Sequence, residues 1–193
     1  MQSPPSATDS APGGDRNNEG LLGPVRIGAF GGVGFPRPLS VEGMVKIDGI
    51  VGVGVEYGAL PQVTVSGVTA SLSAIAVDVR VFPLRNGFFI GLAAGRQELD
   101  ATATVAVSPA LGSLSGQVSG ETWYLNPRIG FLWTWRSGIT LGMDVGAQIP
   151  VASSVTSTIP TALAASQTAT NVANSFSSNV LPTIDLLQVG FLF

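Results

Sequence analysis

The 193-residue chain contains no cysteine and no histidine. Without cysteine there is no disulfide and no thiolate metal site. Without histidine the chain lacks the usual acid–base group of neutral pH and the commonest metal ligand. Charge is scarce as well: Asp, Glu, Lys and Arg make up 11% of residues, roughly half the share of an ordinary soluble domain. The net charge is −3 with no basic cluster, so nucleic acid is not an expected partner. Long apolar runs are also missing. A transmembrane helix needs about 20 mostly apolar residues in succession. The run from Phe88 to Gly95 is far shorter, and Glu56 interrupts the stretch from Ile50 to Leu60. Yet the mean hydropathy is positive, +0.42. A chain that is hydrophobic without long apolar runs must carry its apolar residues in alternation.

That alternation is present, with a period of two. In Val25–Phe35 the odd positions Val25, Ile27, Ala29, Val33 and Phe35 are apolar, and Arg26, Gly28, Gly32 and Gly34 oppose them. In Leu39–Asp48, Val41, Val45 and Ile47 oppose Glu42, Lys46 and Asp48. In Ile50–Tyr57, Val51, Val53, Val55 and Tyr57 oppose Gly52, Gly54 and Glu56. In Ser71–Phe82, Ile75, Val77, Val79 and Val81 oppose Ala74, Ala76, Asp78 and Arg80. Phe88–Gln97, Thr122–Trp135, Ile139–Val151 and Leu181–Phe193 continue the rule. Within Thr122–Trp135, Pro127 falls on the apolar side. Proline cannot donate to a ladder, so a bulge is expected there.

Eight strands, most near the ~9–11 residues that cross a bilayer at a tilt, predict an all-β, eight-stranded antiparallel up-and-down transmembrane barrel over 21–193. The joins support it. Those at Asp48-Gly49, Pro83–Gly87 and Arg136–Gly138 are short, and those near 58–70, 98–121 and 152–180 are long. Membrane barrels have short periplasmic turns and long extracellular loops. The join Pro36-Arg37-Pro38 is short where that rule predicts a long one. Residues 1–20 are rich in Pro, Ser, Gly, Asp and Asn and are expected to be disordered. They hold no apolar stretch that would serve as an export signal, so such a signal is expected to have been removed. The uncharged segment 160–176 reads either as a short helix capping the mouth or as a solvated loop.

The chain closes on Leu187-x-Val189-x-Phe191-x-Phe193. This ending resembles the C-terminal β-signal of bacterial outer-membrane proteins, and the region from about 24 to 193 resembles the small eight-stranded class that includes the OmpA transmembrane domain, OmpX and OmpW. The resemblance implies residence in the outer membrane, contact with its lipid, and recognition of Leu187, Val189, Phe191 and Phe193 by the barrel-assembly machinery.

With the apolar face toward lipid, Arg26, Glu42, Lys46, Glu56, Asp78, Arg80, Arg128 and Asp144 line the interior. An eight-stranded interior is just wide enough for side chains to fill, and buried charges must pair. The expectation is therefore a salt-bridge network in a closed lumen, with inward glycines making room for large neighbours. A proton or ion path, or a carboxylate pair such as Asp78 with Asp144, is the sharper alternative. Tyr57, Trp123, Trp133 and Trp135 have the character of interfacial girdle residues.

Two functions follow: a structural or surface-interaction barrel whose loops meet an extracellular or protein partner, and a narrow channel or carrier for small or apolar solutes. An enzyme is not expected, since there is no G-x-S-x-G, no histidine and no metal-ligand cluster, and no cofactor is implied. A soluble eight-stranded barrel would place the same faces the other way round, apolar inside and charged outside.

Overall fold

The structure, a computed structural model, describes residues 23–65, 68–108, 112–157 and 179–193. The N-terminal segment 1–20 and the helix considered over 160–176 lie outside these residues.

Alternating residues build eight strands: β1 (Val25–Phe35), β2 (Leu39–Ile47), β3 (Val51–Val65), β4 (Val68–Val81), β5 (Phe88–Ser108), β6 (Gly112–Thr134), β7 (Ile139–Ser157) and β8 (Leu181–Leu192). Each pairs antiparallel with its neighbours in sequence, and β1 pairs with β8, giving a closed barrel. The seam is tied at its end by Ile27 N–H to Phe193 C=O at 2.8 Å and by the reciprocal bond at 3.1 Å. Closing the barrel removes the free sheet edges that a bilayer could not satisfy.

The short turns are set by local conformation. Asp48 and Gly49 both take positive φ (52° and 67°), as tight hairpin loops require. Asp48 is therefore not a luminal residue, contrary to the alternation: it sits exposed in the turn. Pro127 makes no bulge. It lies opposite Leu92 of β5, and the β6–β7 ladder skips Asn126 and Pro127 but resumes in the same register, Leu125 with Ile149 and Arg128 with Gly146. The register shift falls instead between Trp123 and Tyr124. Proline lacks only its own donor, so one missing ladder bond suffices and no extra residue is needed.

The outer face is apolar over a defined band. Ile27, Val41, Val53, Val77, Leu92, Ile129, Met143 and Val189 all stand exposed on it. Its rim on the long-hairpin side follows one cross-strand row, Tyr57–Ile75–Arg96–Trp123. Trp123 and Trp133 are ten residues apart on the same face of β6. At ~3.4 Å per residue and a tilt of ~40°, that is a height of about 26 Å, against the ~25 Å apolar band of membrane barrels.

Beyond that row β3 to β7 continue. The segments expected as long connections near 58–70 and 98–121 are thus largely paired strand, and the polarity of their faces inverts. Arg96, Glu98, Asp100 and Glu121 now point outward, while Leu72, Leu99 and Val118 are buried as a cluster packed by Leu60. The cause is the change of solvent. Outside the bilayer the outer wall meets water and the inner wall needs only to be filled.

Candidate functional site

The lumen is filled in layers. At the short-turn end Phe30, Met44, Phe82, Phe89 and Leu132 form one apolar cluster, each 3% exposed or less. They come from five strands or strand ends whose inward positions converge there. Phe82 and Phe89 rings lie 5.7 Å apart.

The ionic layer stands next along the barrel. Arg80 donates from Nε to Asp78 Oδ2 at 2.7 Å and from Nη2 to Glu42 Oε2 at 2.5 Å. Arg128 donates from Nη2 to the same Asp78 Oδ2 at 2.7 Å and from Nη1 to Glu56 Oε2 at 2.9 Å. Asp144 and Asp185 approach Arg128 Nη1 at 3.9 and 4.0 Å, and Gln188 donates to Asp144 Oδ2 at 3.0 Å. Arg37 joins Glu56 at 3.3 Å and donates to the Tyr124 hydroxyl at 2.6 Å. The side chains of Asp78, Arg80 and Arg128 are fully buried. A guanidinium offers five donors in a planar fork and holds its charge under burial, which suits it to bridging several carboxylates where water is excluded.

Glycine provides the room. A Cβ on Gly54 would lie 2.6 Å from Glu42 Oε1 and 2.7 Å from Asp78 Oδ1. One on Gly58 would lie 2.6 Å from Arg37 Cδ. Small inward residues thus face large ones across the strand ladder. Above this layer lie Ala74, Ala76, Ala93 and Tyr124, then a bond from Gln148 Nε2 to Gln97 Oε1 at 3.1 Å, then the Leu72–Leu99–Val118 cluster.

Of the eight charges expected inside, the structure gathers Glu42, Glu56, Asp78, Arg80, Arg128 and Asp144 into one network. Arg26 and Lys46 are not part of it. They lie opposite each other on β1 and β2 at the short-turn mouth, with Arg26 half-buried and Lys46 buried. Asp78 and Asp144 do not face each other across a cleft, since Arg128 contacts both. Two network members escaped the sequence reading. Arg37 lies in a proline-flanked turn where periodicity assigns no face. Asp185 shares odd parity with Leu187, Val189 and Phe191, but a register shift at Leu186 turns it inward: Leu187 pairs with Val33, and Asp185 with Gly34.

The aromatics stand on the outer wall. Tyr57 and Trp123 belong to the rim row, and Trp133 and Trp135 lie beside the Arg136–Gly138 turn. Trp133 stacks on Phe131 at 5.1 Å. Phe191 stacks on Phe193 at 5.7 Å, with both rings outward.

The sequence matches no protein-family model and no curated protein. Among solved structures the chain is similar to CarO2 of Acinetobacter baumannii, at 15% identity and a TM-score of 0.49 over 87% of this chain and 98% of that one. It is similar to the N-terminal β-barrel domain of OprF from Pseudomonas aeruginosa, at 15% identity and 0.40 over 88% and 96%. It is also similar to a major outer membrane protein from Thermus thermophilus, at 14% identity and 0.48 over 88% and 98%. Its own closed ladder, apolar outer band and buried ionic interior give the chain the architecture of a transmembrane β-barrel.

Proposed function

We propose that this barrel is a rigid membrane anchor with a closed lumen, whose extended β3–β4 and β5–β6–β7 hairpins meet a partner at the cell surface. The observation that carries this reading is the layered filling of the lumen: an apolar cluster, an ionic layer with Asp78, Arg80 and Arg128 fully buried, and a second apolar cluster in Leu72, Leu99 and Val118. A hydrated solute crossing the barrel would have to displace all three. A substrate has no open route to Asp78, which argues against a catalytic carboxylate pair.

In this reading the short turns face the periplasm and the hairpins face outward, as in other membrane barrels. Tyr57 and Trp123 act as the outer aromatic girdle, and Trp133 and Trp135 as the inner one. Leu187, Val189, Phe191 and Phe193 serve as the strand offered to the assembly machinery. The bond pair between Phe193 and Ile27 then closes the seam at the residue where that strand ends.

The test is recording from the purified, folded protein in planar lipid bilayers. No stable unitary conductance is expected. Reproducible single-channel steps would overturn the closed-lumen reading in favour of a narrow channel or carrier.

A further inference from the structure

The short-turn mouth holds a buried cation whose charged neighbours are themselves cations. Lys46 is 7% exposed. Its Nζ stands 3.5 Å from the centre of the Phe82 ring, and no carboxylate among the described residues pairs with it. Its charged neighbours are Arg26, directly across the β1–β2 ladder, and Arg80. Like charges directly opposite on a ladder destabilise it. A ring face offsets only a fraction of the penalty of burying a cation. The contact with Phe82 therefore leaves most of that penalty uncompensated.

The same lysine lines a recess of about 100 Å³ together with Arg26, Gly49, Arg85, Asn86, Leu132 and Thr134. Among the described residues, three cations and no acid line this space. Asn86 accepts from Phe88 N–H at 2.9 Å through its carbonyl oxygen, so the group it has left to offer is its NH₂ donor. Thr134 shares a hydroxyl contact with Thr140 at 3.1 Å. The nearest acid in sequence, Asp48, is exposed in the adjoining turn. At ~30 Å³ per water, the recess holds the equivalent of about three waters. That is room for one phosphate-sized group and little else.

We propose that this mouth is an oxyanion site, which takes a phosphate group between Lys46, Arg26 and Arg85. The ammonium of Lys46 supplies the fixed buried charge, and the two arginines supply forked donors suited to phosphate oxygens. The group can arrive as free phosphate or as the headgroup of a phospholipid, since both present the same oxygens.

The experiment titrates inorganic phosphate into the full chain, folded in maltoside micelles, by calorimetry. Saturable binding is expected, weakened at least tenfold in Lys46→Met, which keeps the stem and removes the charge. Arg85→Gln changes only an exposed turn residue, so it keeps the test valid should Lys46→Met fail to fold, and it too should weaken binding severalfold. Arg96→Gln, on the far side of the apolar band, should bind as the parent does. Repeating the titration with phosphatidylglycerol doped into the micelle separates the sources: competition identifies the lipid headgroup, and undiminished binding identifies the free anion. Absence of saturable binding, or equal binding by the parent and both mouth variants, overturns the proposal.

Discussion

Asp78 and Arg128, on strands separated by the whole of β5, meet at 2.7 Å in the middle of the lumen, and the same Asp78 oxygen also takes Arg80 Nε at 2.7 Å. One carboxylate oxygen thus joins two fully buried guanidiniums, and Glu42 and Glu56 occupy their outer donors. The network links β2, β3, β4 and β6 across the interior, where backbone bonds link only adjacent strands.

Removing one partner from such a network leaves the others charged and dry. Arg128→Met should destabilise the barrel by roughly 3–5 kcal/mol, the cost of stranding buried charges, because Glu56 loses its nearest donor and Asp78 loses one of its two. The measurement is urea unfolding in lipid vesicles, followed by the migration of unheated samples on a gel. A loss below about 1 kcal/mol would show that the network contributes nothing beyond packing.

The direction of the faces can be tested by moving one charge along the outer wall. Val79 stands outward near mid-band, four residues in from Ile75 of the rim row, and Thr102 stands outward beyond that row. Val79→Arg should cost about 2–4 kcal/mol in vesicles, as for an arginine at the bilayer midplane, whereas Thr102→Arg should cost ~0–1 kcal/mol. Equal costs at the two positions would mean that no bilayer boundary runs between them.

Much of this was legible because alternation and turn chemistry agree. The Asp48-Gly49, Pro83–Gly87 and Arg136–Gly138 joins fall where the pattern of inward charge and outward valine pauses. What stayed hidden has local causes. Glu98, Leu99 and Asp100 still alternate, but with the sign reversed above the rim, so a pattern tuned to an apolar exterior sees only an irregular loop. Arg37 reaches Glu56 and Tyr124 from a turn that has no period. Lys46 has the correct face but the wrong depth, because alternation specifies side and says nothing of level. Asp185 is lost to a single extra residue in β8, since one insertion moves every position beyond it to the other face of a strict alternation.

That extra residue makes a sharp prediction. Leu186 and Leu187 both point outward, opposite a partner strand that advances by only one position: Val33 pairs with Leu187 and Gly34 with Asp185. Leu186 is therefore the inserted residue of a bulge. Deleting it should leave a regular strand, with Asp185 and Thr183 still inward and Ile184 still outward, and the barrel should fold. Deleting Val79 from β4, where no bulge is available to absorb the change, should behave oppositely. With Arg80 held inward, Asp78 would be thrown onto the lipid face and taken from both arginines. Heat-dependent gel migration after refolding into vesicles distinguishes the two: the Leu186 deletion should show the folded band and the Val79 deletion should not. Loss of the folded band in the Leu186 deletion would mean that the bulge itself, and not the faces it preserves, is what β8 requires.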